Sequence, residues 1–316
     1  MGGSPPLKIF DANAVRHGLS VAGLIPVMRE TMIELSSGRV RQNLRSFIGL
    51  GEGRTFAIMP AAFGGQGVFG AKLVSVFADG TGRKAHEGVV VLFDGETGAP
   101  FCVADAGEIT ALRTPAASAA ATEALARADA DVLAVIGLGR QAAGHIEAIA
   151  AVRQLREIRV WGRDLLGATA FAEAMSARTG APVSAVGSVA DAVRGAGIVC
   201  MATTATEPLL AAVDPGAHIN LVGSSGPMAA EIEGGLVARA RFIADHRAHV
   251  LVHGGEFLRA KAAGLVGDDH VVAEIGEVFA GAAPGRTSAD EITIYKSLGH
   301  AVQDLAATEM LYRSSV

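Results

Sequence analysis

Arg45, Lys72 and Arg113 stand in apolar or Gly-rich surroundings, Lys72 inside the β-patterned run Ala71-Lys72-Leu73-Val74-Ser75-Val76-Phe77. A cation buried in such a run is costly unless something pairs with it. A substrate carboxylate is one such partner, and arginine suits it because its planar fork makes two parallel bonds. Surface charges and internal ion pairs are the competing readings, and these residues alone leave both open.

A second pattern concerns phosphate. Gly137-Leu138-Gly139-Arg140-Gln141-Ala142 closes the β-rich run Val132–Ile136 and opens a helical stretch. In GxGxxA the first glycine permits the tight turn, the second lets a pyrophosphate reach the backbone, and the small alanine lets helix and strand pack closely. The helix N-terminus then offers unpaired N–H groups to the phosphates. The strand after it should end near residue 161, where NAD-binding chains usually carry an acid for the ribose hydroxyl. Here that position is Gly162, with Arg163 next, which fits a 2′-phosphate; Asp164 is the competing group. The expected cofactor is NADP(H), with NAD(H) a weaker alternative.

These residues need elements to hold them. Up to about residue 115, short β-like runs at 56–59, 72–77 and 88–93 alternate with Gly, Pro and Asp, and the last is followed by the hairpin-type Asp94-Gly95-Glu96-Thr97-Gly98. Residues 15–37 read as one helical stretch. From Thr114-Pro115 onward an Ala-rich helix is expected, then strands at 132–136, 158–161, 183–186, 197–201, 218–222 and 241–244, mostly separated by helix-length segments. Residues 297–314 read as one amphipathic helix. The predicted fold class is α/β: a Rossmann-type doubly wound parallel sheet over residues 116–296, plus an α+β substrate-binding and dimerisation domain over 1–115 completed by 297–316.

Composition narrows the function. The chain has 316 residues, is half hydrophobic and carries a net charge of −5, too modest to suggest nucleic acid as a partner. Two isolated cysteines, Cys102 and Cys200, make neither a disulfide framework nor a zinc spacing, and His246, His249 and His253 lack a partner in register, so no metal is expected. The two isolated cysteines fit a reducing cytoplasm, which is the expected location, and neither signal-peptide order nor an apolar run long enough for a membrane is visible.

Several blocks together resemble the ornithine cyclodeaminase/μ-crystallin family. They are Gly70-Ala71-Lys72-Leu73-Val74-Ser75, Ile109-Thr110-Ala111-Leu112-Arg113-Thr114-Pro115-Ala116-Ala117, the glycine turn at 137–142, Gly216-Ala217-His218-Ile219-Asn220-Leu221-Val222-Gly223, and the ending Tyr295-Lys296-Ser297-Leu298-Gly299-His300-Ala301-Val302-Gln303-Asp304. The resemblance spans about residue 40 to the C-terminus. It implies a homodimer, binding of the substrate α-carboxylate by Arg45 and Arg113, and Lys72 beside the reacting carbon. It also implies cofactor contacts from Thr114, Gly137, Gly139, Arg140, Gln141, Ala142, Arg163, Val222 and Ser297. Thr114 has a competing role as a helix N-cap, and His86, in the loop before residue 88, reads more readily as structural.

One position departs from the cyclodeaminase pattern. Where that enzyme carries an aspartate base, this chain has Ser225, whose hydroxyl cannot take a proton from an ammonium unaided. Oxidising an amine needs that base, whereas reducing an imine does not. The expected activity is therefore NADPH-dependent reduction of a small cyclic 2-imino acid, Δ1-pyrroline-2-carboxylate or Δ1-piperideine-2-carboxylate, to proline or pipecolate, with Lys72 and Ser225 at the imine nitrogen. Proline metabolism would be its setting. An ornithine cyclodeaminase, an alanine dehydrogenase-type enzyme and a non-catalytic NADPH-binding protein are the alternatives.

Overall fold

Short β-forming runs, joined at Gly, Pro and Asp, build much of the first part of the chain. In the computed structural model it holds β1 (Lys8–Phe10), α1 (Ala12–Gly18), α2 (Val21–Ser36), β2 (Val40–Gln42), β3 (Ser46–Gly51), β4 (Arg54–Phe63), β5 (Phe69–Ala78), β6 (Lys84–Phe93), β7 (Pro100–Asp105) and α3 (Ala106–Leu125). Next come β8 (Val132–Ile136), α4 (Arg140–Val152), β9 (Glu157–Trp161), α5 (Leu165–Thr179), β10 (Val183–Ala185), α6 (Val189–Val193), β11 (Ile198–Met201) and β12 (His218–Leu221). The chain continues with α7 (Gly234–Arg239), β13 (Arg241–Ala244), α8 (Arg247–His253), α9 (Gly255–Ala262), β14 (Val271–Glu274), α10 (Ile275–Phe279), β15 (Thr293–Lys296) and α11 (Ala301–Ser314). The structure describes residues 6–65, 67–78 and 84–315, the side chains of residues 78 and 84–86 excepted. Two units are present, Met1–Thr114 with His300–Val316, and Pro115–Gly299.

The first unit is a sheet in the order β1-β7-β6-β5-β4-β2, with β3 paired to β4. Its pairs are antiparallel except β1 with β7. The turn from β6 to β7 is set by Asp94, whose Oδ1 accepts from the Thr97 N–H and hydroxyl, both at 2.8 Å, while Gly98 takes φ +71°. Helix α11 packs across β4, β5 and β6 and also against α2. It is buried along its first eight residues, including the polar Gln303, Asp304 and Thr308. Polar side chains at such depth need partners, and those of Gln303 and Asp304 lie in the site described below.

The second unit is an eight-stranded parallel sheet in the order β10-β9-β8-β11-β12-β15-β13-β14. Strands β8, β11, β12 and β15 are buried at every residue, as strands covered on both faces are. The chain runs outward from β8 through β9 to β10, then starts again on the other side of β8 with β11. This reversal marks the crevice at the carboxyl ends of β8 and β11, where open α/β sheets bind ligands.

The observed elements refine the expected ones. The stretch 15–37 breaks at Ser20, whose Oγ caps α2 by accepting from Gly23 N at 3.1 Å. His86 lies within β6 rather than in a loop, and its side chain falls outside the described residues. Helix α3 starts nine residues before Pro115, because Asp105 Oδ1 accepts from Glu108 N at 2.7 Å and caps it there. Thr114 is therefore mid-helix, and the N-cap role considered for it is excluded. The tail helix begins only at Ala301, behind a capping box between His300 and Gln303, so Ser297 precedes it in a turn. Strands β14 and β15 were not anticipated; β15 has only four residues and carries a lysine, yet it sits inside the sheet between β12 and β13.

Candidate active site

In the first unit, β5 presents Lys72, α3 presents Thr110 and Arg113 one helical turn apart, and α11 presents Gln303 and Asp304. Arg113 donates from Nε to Asp304 Oδ1 at 2.9 Å and from Nη1 to Gln303 Oε1 at 3.0 Å. These bonds leave Nη2 with no protein acceptor among the described residues. Lys72 Nζ donates to Thr110 Oγ1 and to the same Asp304 oxygen at 3.3 Å. Lys72 is 7% exposed, Arg113 4% and Asp304 0%.

Burial is the main cause of a depressed Lys72 pKa, about 8; Asp304 works against it, while Arg113 and Arg45 push it further down. Desolvation of the ammonium outweighs the arginine charges as the cause. Burial tends to raise the Asp304 carboxyl, and the charges of Arg113 and Lys72 more than reverse that, holding it below the usual carboxylate range. Arg45, half-buried just before β3, is near enough for its charge to reach Lys72. The structure thus groups the three cations picked out from the sequence. It adds Asp304, which sequence reasoning missed; an acid on the buried face of the tail helix was the available signal.

In the second unit, the turn after β8 has the shape its glycines require. Gly137 takes φ +125°, and a Cβ there would meet the Ala202 carbonyl oxygen at 2.3 Å, so only glycine fits. Gly139 is the N-cap of α4, with ordinary extended backbone and no side-chain cap. A Cβ on Gly139 would meet nothing within 4 Å, so the space before the helix N-terminus is open. Ala142 is fully buried where α4 packs on β8, Gln141 is half-buried and Arg140 is exposed. An uncapped helix end facing open space is suited to a pyrophosphate.

Gly162 follows β9, with the exposed Arg163 beside it. Asp164 caps α5 with both oxygens, accepting from Leu166 N at 3.2 Å and Gly167 N at 3.0 Å, so it is already engaged. Val222 and Ser297 lie just beyond the carboxyl ends of β12 and β15, bonded through their N–H groups to Met201 O and Leu221 O. The hydroxyls of Ser297 and Thr114 are each buried without a hydrogen-bond partner among the described residues. Buried hydroxyls are normally satisfied, so these two suit a polar ligand atom.

Ser225 is exposed, whereas its neighbour Ser224 is buried in a network that was not foreseen. Lys296 Nζ, fully buried on β15, donates to Ser224 O and Oγ, each at 2.6 Å, and pairs with Glu256 Oε2 at 2.9 Å. Glu256 Oε1 also accepts from Ser224 Oγ and from Glu231 N. Glu231, whose carboxyl is pushed up by burial, accepts from Thr203 N and Gly223 N, tying together the loops after β11 and β12. Asp245 Oδ2 accepts from Leu298 N and Gly299 N and fixes the turn after Ser297. The loops at the carboxyl ends of adjacent strands are therefore held from beneath by buried charge.

Known proteins resemble this chain over nearly its whole length. The family model for the ornithine cyclodeaminase/mu-crystallin family matches residues 8–316. The ketimine reductase mu-crystallin of Mus musculus is 36% identical over 306 residues, covering 94% of each chain. The Δ1-pyrroline-2-carboxylate reductase of Thermococcus litoralis, solved in complex with NADH and L-proline, superposes with a TM-score of 0.92 at 30% identity, covering 97% of each chain. An archaeal alanine dehydrogenase dimer with bound NAD gives a TM-score of 0.91 at 29% identity, covering 98% of this chain and 96% of that one. By sequence over nearly its whole length, the chain belongs to the ornithine cyclodeaminase/mu-crystallin family.

Proposed function

We propose that this protein is an NADPH-dependent reductase of a small cyclic 2-imino acid, Δ1-pyrroline-2-carboxylate or Δ1-piperideine-2-carboxylate, giving proline or pipecolate. The observation that carries the reading is the buried Lys72 beside Arg113, whose Nη2 has no protein acceptor among the described residues. Arg113 binds the substrate carboxylate through that end with help from Arg45, which fixes the imine carbon; the gain is mainly one of positioning. Lys72 gives a proton to the imine nitrogen as the C=N bond is reduced. Its pKa of about 8 leaves it mostly protonated at neutral pH yet able to release the proton, as a general acid must. Ser225 hydrogen-bonds the same nitrogen. The bound cofactor supplies the hydride.

The Gly137–Ala142 turn at the start of α4 would hold the pyrophosphate, and Thr114, Val222 and Ser297 would contact the cofactor. NADPH is favoured because Gly162 offers no acid, Asp164 is occupied as a cap, and the exposed Arg163 is left for a 2′-phosphate. The two neighbours above hold NADH and NAD, so both reduced cofactors belong in the test. A homodimer is part of the reading, as the archaeal alanine dehydrogenase is a dimer. No helix among the described residues is long and apolar enough to cross a membrane.

The test follows NADPH and NADH absorbance with each cyclic imine and with pyruvate plus ammonia. Fast oxidation of NADPH by a cyclic imine is the expected result. Turnover with pyruvate and ammonia alone would replace this reading with an alanine dehydrogenase. Silence with all three would remove it.

A further inference from the structure

Asp304 has no part in the reaction described above, yet it touches both Lys72 and Arg113. It is fully buried on α11, and its Oδ1 accepts from Arg113 Nε at 2.9 Å and Lys72 Nζ at 3.3 Å. Its Oδ2 is buried with no donor among the described residues. Gln303, the preceding residue, takes a second bond from Arg113 at 3.0 Å. One segment of α11 thus grips the guanidinium on two sides and the ammonium on one. Without Asp304, two buried cations would face each other with no counter-charge, an arrangement that proteins avoid.

We propose that Asp304 is a positioning residue for the imine reduction, a resident carboxylate that fixes Lys72 and Arg113 relative to one another before substrate arrives and supplies the counter-charge between them. The proposal rests on the reading of Lys72 as proton donor. The groups facing Lys72 are Asp304 from α11, Arg113 and Thr110 from α3, and Arg45 from the segment before β3. Met59 and Val90 flank it in register on β4 and β6. His300, at the start of α11, is engaged by Gln42 at 2.7 Å. Asp304 is thus the acidic member of the set, and it opposes the loss of the Lys72 proton that burial and the arginines favour.

The experiment uses the full chain with 13C-labelled lysine. The sequence has five lysines, Lys8, Lys72, Lys84, Lys261 and Lys296, so Lys72 is assignable by its loss in Lys72→Arg. The Lys72 Cε shift is titrated in the wild type, Asp304→Asn and Asp304→Glu, alongside the pH profile of kcat/KM for imine reduction. In Asp304→Asn the Lys72 midpoint should fall from about 8 by roughly one to three pH units. The alkaline limb of kcat/KM should move with it, and its plateau should drop by roughly 100-fold. Asp304→Glu keeps the charge but displaces it by one methylene, so the midpoint should stay near the wild-type value while kcat/KM falls roughly tenfold. A folded Asp304→Asn with an unmoved midpoint would overturn the proposal. So would Asp304→Glu with wild-type kcat/KM, which decides the matter even where Asp304→Asn does not fold. The titration needs no substrate, so an inactive wild type would sink the reductase reading without blurring the result for Asp304.

Discussion

The two units hold their candidate groups by opposite means. Around Lys72 the first unit relies on side chains: an ammonium, two guanidinium groups and one carboxylate, Asp304, paired with Lys72 and Arg113. At the start of α4 the second unit relies on missing side chains: one glycine that no other residue can replace and one that leaves an open space. The first arrangement titrates and depends on long-range packing. The second offers backbone N–H groups, which hold no titratable proton in the working range and depend on a turn six residues long. Chemistry at a carbon–nitrogen bond needs a movable proton, whereas binding a pyrophosphate needs only fixed dipoles.

The difference can be broken from either side. The largest effect is expected for Lys72→Met, which removes the acid. Steady-state reduction should fall by roughly 10²- to 10⁴-fold, while NADPH affinity, measured by fluorescence titration, stays within about twofold of the wild type because the phosphate turn is untouched. Near-normal turnover would take Lys72 out of the mechanism. Next comes Arg163→Ala, where the ratio of NADPH to NADH affinity should fall by roughly 10- to 150-fold, the worth of one charge-assisted bond. An unchanged ratio would return Arg163 to the role of a solvated surface charge.

The two glycines sharpen the contrast within one turn. Gly137→Ala forces a methyl group against the Ala202 carbonyl and should destabilise the unit by roughly 1–3 kcal/mol, read as a lower melting temperature without any ligand. Gly139→Ala meets nothing within 4 Å among the described residues, so melting without ligand should be unchanged while NADPH binding weakens roughly tenfold, through a methyl placed where phosphate would approach. Equal melting losses in both variants would contradict the open cradle.

The smallest perturbation is pH itself. Lys72 donates its proton in the reductive direction, and its pKa in the free protein is about 8. Below that value it is protonated and kcat/KM for reduction should be level. Above it the protonated fraction falls about tenfold per pH unit, and the rate should fall with it. Oxidation of the cyclic amino acid needs the neutral amine and should instead rise with pH through the same region. Affinity for NADPH should show no step near pH 8, since the α4 turn has no group that titrates there.

The same contrast explains what could be read from the chain. The glycine turn and the parallel strands around it announce themselves locally, because each is an apolar run or a motif complete within a few residues. Strand β15 does not: its four residues include Tyr295 and Lys296, and its place inside the sheet comes from register with β12 and β13. Lys72 and Arg113 stand out as cations in apolar stretches. Their partner Asp304 lies 232 and 191 residues away, on a helix whose buried face is known only once it has docked on β4, β5 and β6. The start of α3 was missed because Pro115 looks like a helix opening, whereas Asp105 caps the helix earlier and the proline is carried inside it. The bonds from Lys296 to Ser224 and Glu256 were hidden in the same way, since each partner is unremarkable in its own segment.

Transfer of hydride to the imine carbon of a cyclic 2-imino acid is the step on which the proposed reaction depends. It is tested most directly with NADPH carrying deuterium at the nicotinamide C4 position and Δ1-piperideine-2-carboxylate or Δ1-pyrroline-2-carboxylate, with the amino acid product read by mass spectrometry and NMR. Pipecolate or proline should form with one deuterium, located at C2, in an amount equal to the NADPH consumed. Recovery of the imine with no deuterated amino acid, despite bound NADPH, would contradict it.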